Sequence, residues 1–234
     1  MAWAPLVGLA LGGVAAAALV GVRAAAGGDV ALLPAAIAVI ALVVVTGALH
    51  IDGLADTADA LGVRGDAAAA RRAATDPGVG AFGVTAIAGV LVIDVTAVAT
   101  ASEAGVATAA LVSGCAAGRL AATWACRSAP SAPDSTLGGW VAGTVSRRAA
   151  VAASVVTLPA TFGVAALDAS HRHVATAVAA TLAVLAGLAV GAGVLRLGCR
   201  TFGGLTGDVL GAVICCASST TYVVIACAGA SMHA

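Results

Sequence analysis

The chain has 234 residues, 61% of them hydrophobic and only 9% charged, with a mean hydropathy of +1.09 and zero net charge. Soluble domains carry about 25% charged residues, so too little polar surface remains here for a water-facing fold, and the composition is that of an integral membrane protein. All 11 basic residues are arginine, and without a net positive field nothing points to nucleic acid as a partner.

A helix that crosses a bilayer needs about 20 apolar residues. Seven runs of that kind are expected, near 5–22, 31–49, 82–100, 105–125, 149–167, 174–195 and 209–229. They are rich in Ala, Leu and Val and do not alternate with a period of two, which argues against a β-barrel. The expectation is an all-α polytopic membrane bundle, a single domain over 1–234, whose abundant Gly and Ala let helix backbones approach closely. The N-terminus has neither a basic stretch nor a clear cleavage site, so the first run reads as a retained helix.

Directly after the second run comes His50-Ile-Asp-Gly-Leu-Ala-Asp-Thr-Ala-Asp59. Positions i, i+4 and i+7 fall within a narrow sector of a helix, which puts Asp52, Asp56 and Asp59 on one face. Three like charges there repel one another and call for a cation. An all-carboxylate donor set suits a hard ion such as Mg2+ or Mn2+, and such ions commonly accompany substrate phosphates. The plainer alternative is a solvated acidic helix end.

Asp76-Pro-Gly-Val-Gly80-Ala-Phe-Gly83 opens the third run, and its free helix N–H groups could meet a phosphate or simply turn the chain. Asp94 lies mid-run, with no partner evident in the sequence. Arg119, inside the fourth run, is costly in lipid unless it is paired, and could clamp a phosphate or an aspartate. The segment 127–148, interrupted by Pro, Ser and Gly, reads equally well as a mobile cover or a plain connector. Phe202-Gly-Gly-Leu-Thr206-Gly207-Asp208 opens the last run, where Asp208 is either functional or a helix cap. Six cysteines without C-x-x-C spacing read as small packing residues, and Trp124 and Trp140 as interface anchors.

Arg64, Arg71, Arg72, Arg127, Arg147, Arg148, Arg196 and Arg200 follow even-numbered runs, whereas the other connections hold only Arg23 and Arg172. The positive-inside rule then makes the acidic side cytoplasmic. Together the residues describe a metal-dependent phosphoryl-transfer site at that end, with His50, Asp76 and Asp208 as the available bases.

The acidic run resembles the signature of the cobalamin synthase family (adenosylcobinamide-GDP ribazoletransferase). The stretch from Asp76 to Gly83 is similar to that family's D-x-x-x-G-x-x-G motif, and 203–212 to its G-G-x-T-G-D-x-L-G-A motif. The resemblance implies an Mg2+-requiring enzyme of the plasma membrane that joins adenosylcobinamide-GDP to alpha-ribazole or its 5'-phosphate and releases GMP. It implies Asp52, Asp56 and Asp59 as metal ligands. It also matches His50, Asp76, Gly80, Arg119, Thr206, Gly207 and Asp208 to motif positions; from their chemistry we read His50, Asp76 and Asp208 as catalytic candidates and Gly80, Arg119, Thr206 and Gly207 as substrate-binding positions. The expected partners are these small molecules and the lipid bilayer, with room for a homo-oligomer.

Members of the family usually open with a polar Thr-x-Leu-Pro-Val-Pro-like segment, and here Met1 stands almost at the first run. If that segment closes over the nucleotide, its absence would be expected to impair activity. A CDP-alcohol phosphotransferase would need an Ala-Arg pair where Ala55-Asp56 stands, and an ion transporter would need polar residues recurring through several runs.

Overall fold

The computed structural model describes residues 1–27, 30–63, 66–74, 78–168 and 173–233. Among these residues are ten helices: α1 (Ala4–Ala25), α2 (Leu32–Val45), α3 (Leu49–Gly62), α4 (Ala67–Ala74), α5 (Ala81–Glu103), α6 (Ala107–Ser128), α7 (Thr136–Val141), α8 (Arg147–Asp168), α9 (His173–Phe202) and α10 (Gly207–His233). The chain is an all-α membrane bundle. Six helices, α1, α5, α6, α8, α9 and α10, are long and apolar enough to cross a bilayer, and α2 with α3 makes a seventh, broken element.

α6 is the central helix and is enclosed along most of its length by α1, α8, α9 and α10. Small residues make this enclosure possible. A Cβ on Gly8 of α1 would lie 2.5 Å from the Cys115 carbonyl oxygen, and one on Gly12 would lie 2.5 Å from the Cα of Val112. This Gly-x-x-x-Gly face therefore brings two backbones into direct contact, which compensates for the weak hydrophobic drive between helices in lipid.

The second apolar run departs from expectation. Instead of one span over 31–49, α2 ends at Val45 and the chain turns by 86° into α3. The Thr46 hydroxyl donates back to the carbonyls of Leu42 (2.8 Å) and Val43 (3.2 Å), and the Ala48 N–H reaches the Val43 carbonyl at 2.8 Å. Gly47 (φ 61°) and Ala48 (φ 57°) are both left-handed, the conformation that closes a helix.

α3 is thereby turned out of the spanning direction and packs across the starts of α5 and α10. The ends of α6 and α9 gather on the same side. Leu205 donates to the Pro130 carbonyl (2.8 Å), Thr123 donates to the Met1 carbonyl (3.1 Å), and Arg71 donates to the Phe202 carbonyl (2.7 Å). Seven of the eight grouped arginines belong to this end; Arg64, like Arg172, falls outside the described residues. Arg23 is at the opposite end, donating to the carbonyl and hydroxyl of Ser102.

The connection 129–146 is anchored. Ser131 and Leu205 form a bridge, Ala132 donates to the Leu205 carbonyl (3.0 Å), and the Ser135 hydroxyl caps α7 by accepting the Gly138 N–H (3.1 Å). Trp124 donates to the Ser154 hydroxyl at 3.1 Å, while Trp140 is exposed. The six cysteines are free thiols.

Candidate active site

α3 carries all three aspartates of the acidic run, Asp52 exposed and Asp56 and Asp59 half-buried. Its other face is small. Gly53, Ala55, Thr57 and Ala60 are buried, and this lets α3 lie directly on α10. A Cβ on Gly53 would stand 2.8 Å from the Cα of Asp208, so the two backbones touch between Asp52 and Asp56.

Asp208 therefore joins the acidic group. Thr206 is the cap of α10, accepting the Val209 N–H at 3.1 Å. Its hydroxyl donates to Asp208 Oδ2 at 3.3 Å. Sequence reasoning left Asp208 as either a functional acid or a cap; Thr206 fills the capping position and leaves the Asp208 carboxylate available. On α3, outside the six spans, burial and then the neighbouring charges of Asp208, Asp52 and Asp59 push the Asp56 carboxyl up to about 6. The neighbouring acids thus raise the cost of the charge on Asp56, the condition that a bound cation relieves.

Asp59 has a more specific environment. Its two carboxylate oxygens accept the N–H groups of Gly80 (2.7 Å) and Gly83 (2.8 Å). The glycine stretch at the start of α5, which could have cradled a phosphate, thus receives a carboxylate of the chain itself, and the positive end of α5 is satisfied internally. A Cβ on Gly80 would come within 2.5 Å of Asp59 Oδ1, so a side chain there would displace the carboxylate from these bonds. Asp76 lies outside the described residues.

Two cavities flank this layer. One is small, about 70 Å3, and is lined by His50, Asp94, Arg119 and Tyr222 among others. Arg119 is buried there and donates weakly to the Cys115 carbonyl at 3.5 Å. Among the described residues no carboxylate stands within ion-pair distance of it. Asp94 Oδ1 and the Ser218 hydroxyl are buried without hydrogen-bond partners, so the cavity is polar and strained for partners. The other cavity is a groove of about 610 Å3 lined by Arg71, Arg72, Ser135, Thr206, Gly207 and Asp208, among others. The site residues are therefore divided: Asp208, Thr206 and Gly207 face the groove, and His50 and Arg119 face the small cavity. Arg71 and Arg72 were read in the sequence only as orientation signals; their adjacency directly after an acidic helix was the available hint.

The donor chemistry suits Mg2+. Among the described residues no three His, Cys, Asp or Glu side chains are gathered into a ready-made cage. Mg2+ does not demand one, since it keeps several waters and takes one or two carboxylates. Asp56, together with Asp208 and Asp52, whose charges it feels, offers carboxylates of that kind.

Comparison with known proteins agrees in one direction. A family model described as Cobalamin-5-phosphate synthase matches residues 1–226. A protein of Frankia casuarinae named adenosylcobinamide-GDP ribazoletransferase is 38% identical over 97% of this chain and 84% of its own length. One of the same name from Corynebacterium efficiens is 36% identical over 99% of this chain and 82% of its own length. Another, from Citrobacter koseri, is 32% identical over 90% and 80% respectively. No solved structure matches.

Proposed function

We propose that this chain, which belongs to the cobalamin-5-phosphate synthase family, is an adenosylcobinamide-GDP ribazoletransferase. It joins adenosylcobinamide-GDP to alpha-ribazole, or its 5'-phosphate, and releases GMP. The observation that carries the reading is the near full-length similarity to proteins of that name. The carboxylates of two helices brought together at the arginine-rich end support it.

The reaction is a substitution at the phosphorus that carries cobinamide. A ribazole hydroxyl oxygen bonds to that phosphorus, and the bond from the phosphorus to the bridging oxygen breaks. The bridging oxygen departs as part of GMP, and the hydroxyl proton passes to a base. Asp52 and Asp56 would hold Mg2+, with Asp59 anchored behind them. Bound there, the ion would supply charge neutralisation for the diphosphate. Asp208 is the preferred proton acceptor over His50, because it lines an open groove of about 610 Å3 while His50 lines a cavity of about 70 Å3. The position of the site at the arginine-rich end supports a cytoplasmic orientation in the plasma membrane.

The test is reconstitution in liposomes with adenosylcobinamide-GDP and alpha-ribazole, with and without Mg2+. GMP and a cobalamin product should form only with the ion, and Asp52→Ala and Asp56→Ala should abolish both. Failure of the native chain to release GMP would overturn the assignment. Turnover unaffected by chelation would remove the metal from it.

A further inference from the structure

The groove between α4, the segment 133–137 and the start of α10 has no role in the steps above beyond Asp208, yet its lining is specific. Its volume of about 610 Å3 is in the range of small-molecule sites. Arg71 and Arg72 of α4 line it. Arg72, with the Asp66 carboxylate beside it, is engaged within the chain and would meet a ligand with its remaining donors, and Arg71 is held in place by its bond to the Phe202 carbonyl at 2.7 Å. A guanidinium has five donors, so this one bond leaves the others for a ligand. Across from α4, Ser135 uses its oxygen to accept the Gly138 N–H, which leaves its hydroxyl proton free to donate. At the far end is Asp208, which belongs to the acidic group of α3 and α10.

The groove thus has two guanidiniums on its α4 wall, and its acids are Asp208 at the start of α10 and Asp134 beside Ser135. A diphosphate ester suits that lining, with one phosphate on the guanidiniums and the other towards Asp208, where the neighbouring α3 carboxylates could bring a cation. Resting on the transferase reading above, we propose that this groove seats the nucleoside monophosphate half of the substrate and holds GMP as it departs. The bridging oxygen leaves with the electron pair of the broken bond, and Arg71 and Arg72 balance the charge that GMP gains. The cobinamide half then extends away from α4, over α3.

The experiment uses the full chain in phosphatidylcholine nanodiscs, measuring GMP binding directly and GMP inhibition of turnover. The native chain should bind GMP and be inhibited competitively with adenosylcobinamide-GDP. Arg72→Gln should raise both the GMP inhibition constant and the KM for adenosylcobinamide-GDP about tenfold, with the KM for alpha-ribazole unchanged. Arg71→Gln also removes the bond to Phe202, so Ser135→Ala serves as the second, milder variant and should weaken GMP a few-fold. Unaltered GMP inhibition in Arg72→Gln would overturn the proposal while leaving the transferase reading intact. If the native chain bound no GMP, and phosphatidylglycerol in the nanodisc instead protected Arg72 from phenylglyoxal, the groove would be a lipid phosphate site. A native chain that binds GMP but never releases it from adenosylcobinamide-GDP would refute the transferase reading alone.

Discussion

Asp59→Ala separates two jobs that one carboxylate could do. The side chain accepts two N–H groups, at 2.7 and 2.8 Å, from the first turn of α5. Hydrogen bonds to a charged group contribute about 1.5–3 kcal/mol each. The bond to Gly80 is exposed and that to Gly83 only part-buried, which favours the lower end, about 3 kcal/mol for the pair. For a chain of this size, that loss corresponds to a fall of roughly 6–12 °C in Tm. Asp59→Asn keeps one accepting oxygen and should lose about half as much. Thermal unfolding in nanodiscs without Mg2+ reads the structural part, and GMP release reads the chemistry. An Asp59→Ala protein with native Tm and no activity would refute the helix-anchoring argument and make Asp59 purely a ligand. A strongly destabilised protein that still turns over at low temperature would do the reverse.

The other expectations concern the same layer. Because the folded state holds Asp56 near 6, above its ordinary value, its ionisation opposes folding; the penalty is fully present above about pH 6 and fades as the group protonates on the way down towards its ordinary value. The metal-free protein should therefore gain Tm relative to Asp56→Asn between pH 7.5 and 5.5, a comparison that cancels the opposing effect of His50, which burial holds down at about 4, and Mg2+ should raise Tm more at pH 7.5 than at 5.5; equal shifts at both would show that the ion binds elsewhere. Gly53→Ala puts a methyl 2.8 Å from the Asp208 Cα and must push α3 off α10. Overpacking of that kind costs about 1–3 kcal/mol, but GMP release should fall at least about tenfold because the opposing carboxylates separate. A stable, fully active variant would show that the α3–α10 contact does not position the chemistry. Thr206→Val removes the α10 cap and the donor to Asp208, and should lower stability by about 1 kcal/mol; Thr206→Ser should restore both stability and turnover, and if it does not, the hydroxyl is not the group that matters.

Much of this arrangement was legible beforehand because membrane helices obey simple rules. Six of the seven apolar runs each lie on a single helix, and the i, i+4, i+7 spacing of Asp52, Asp56 and Asp59 lies on one helix, since length and periodicity are local properties. The turn at Thr46 was not legible, because the apolar run continues through Ala48 and Leu49 and the only break is Gly47. The Asp59 bonds to Gly80 and Gly83 were also hidden: a carboxylate more than 20 residues away occupies a helix start that looks open when read alone. Thr206 as the cap of α10 could have been found, since a threonine directly before a helix is a standard cap position. The separation of Arg119 and His50 from Asp208 depends on which side of α3 each faces, and only the packing of α3 on α10 decides that.

The short α2 has a physical consequence for the bilayer itself. Its 14 residues rise only about 21 Å, well short of a hydrocarbon layer of about 30 Å. Lipids beside it must thin or tilt to meet the sideways-lying α3, and this leaves a notch at the protein's edge. A bulky ring system tethered to a hydrophilic headpiece could rest in such a notch, half in oil and half in water, with its phosphates already level with the acids.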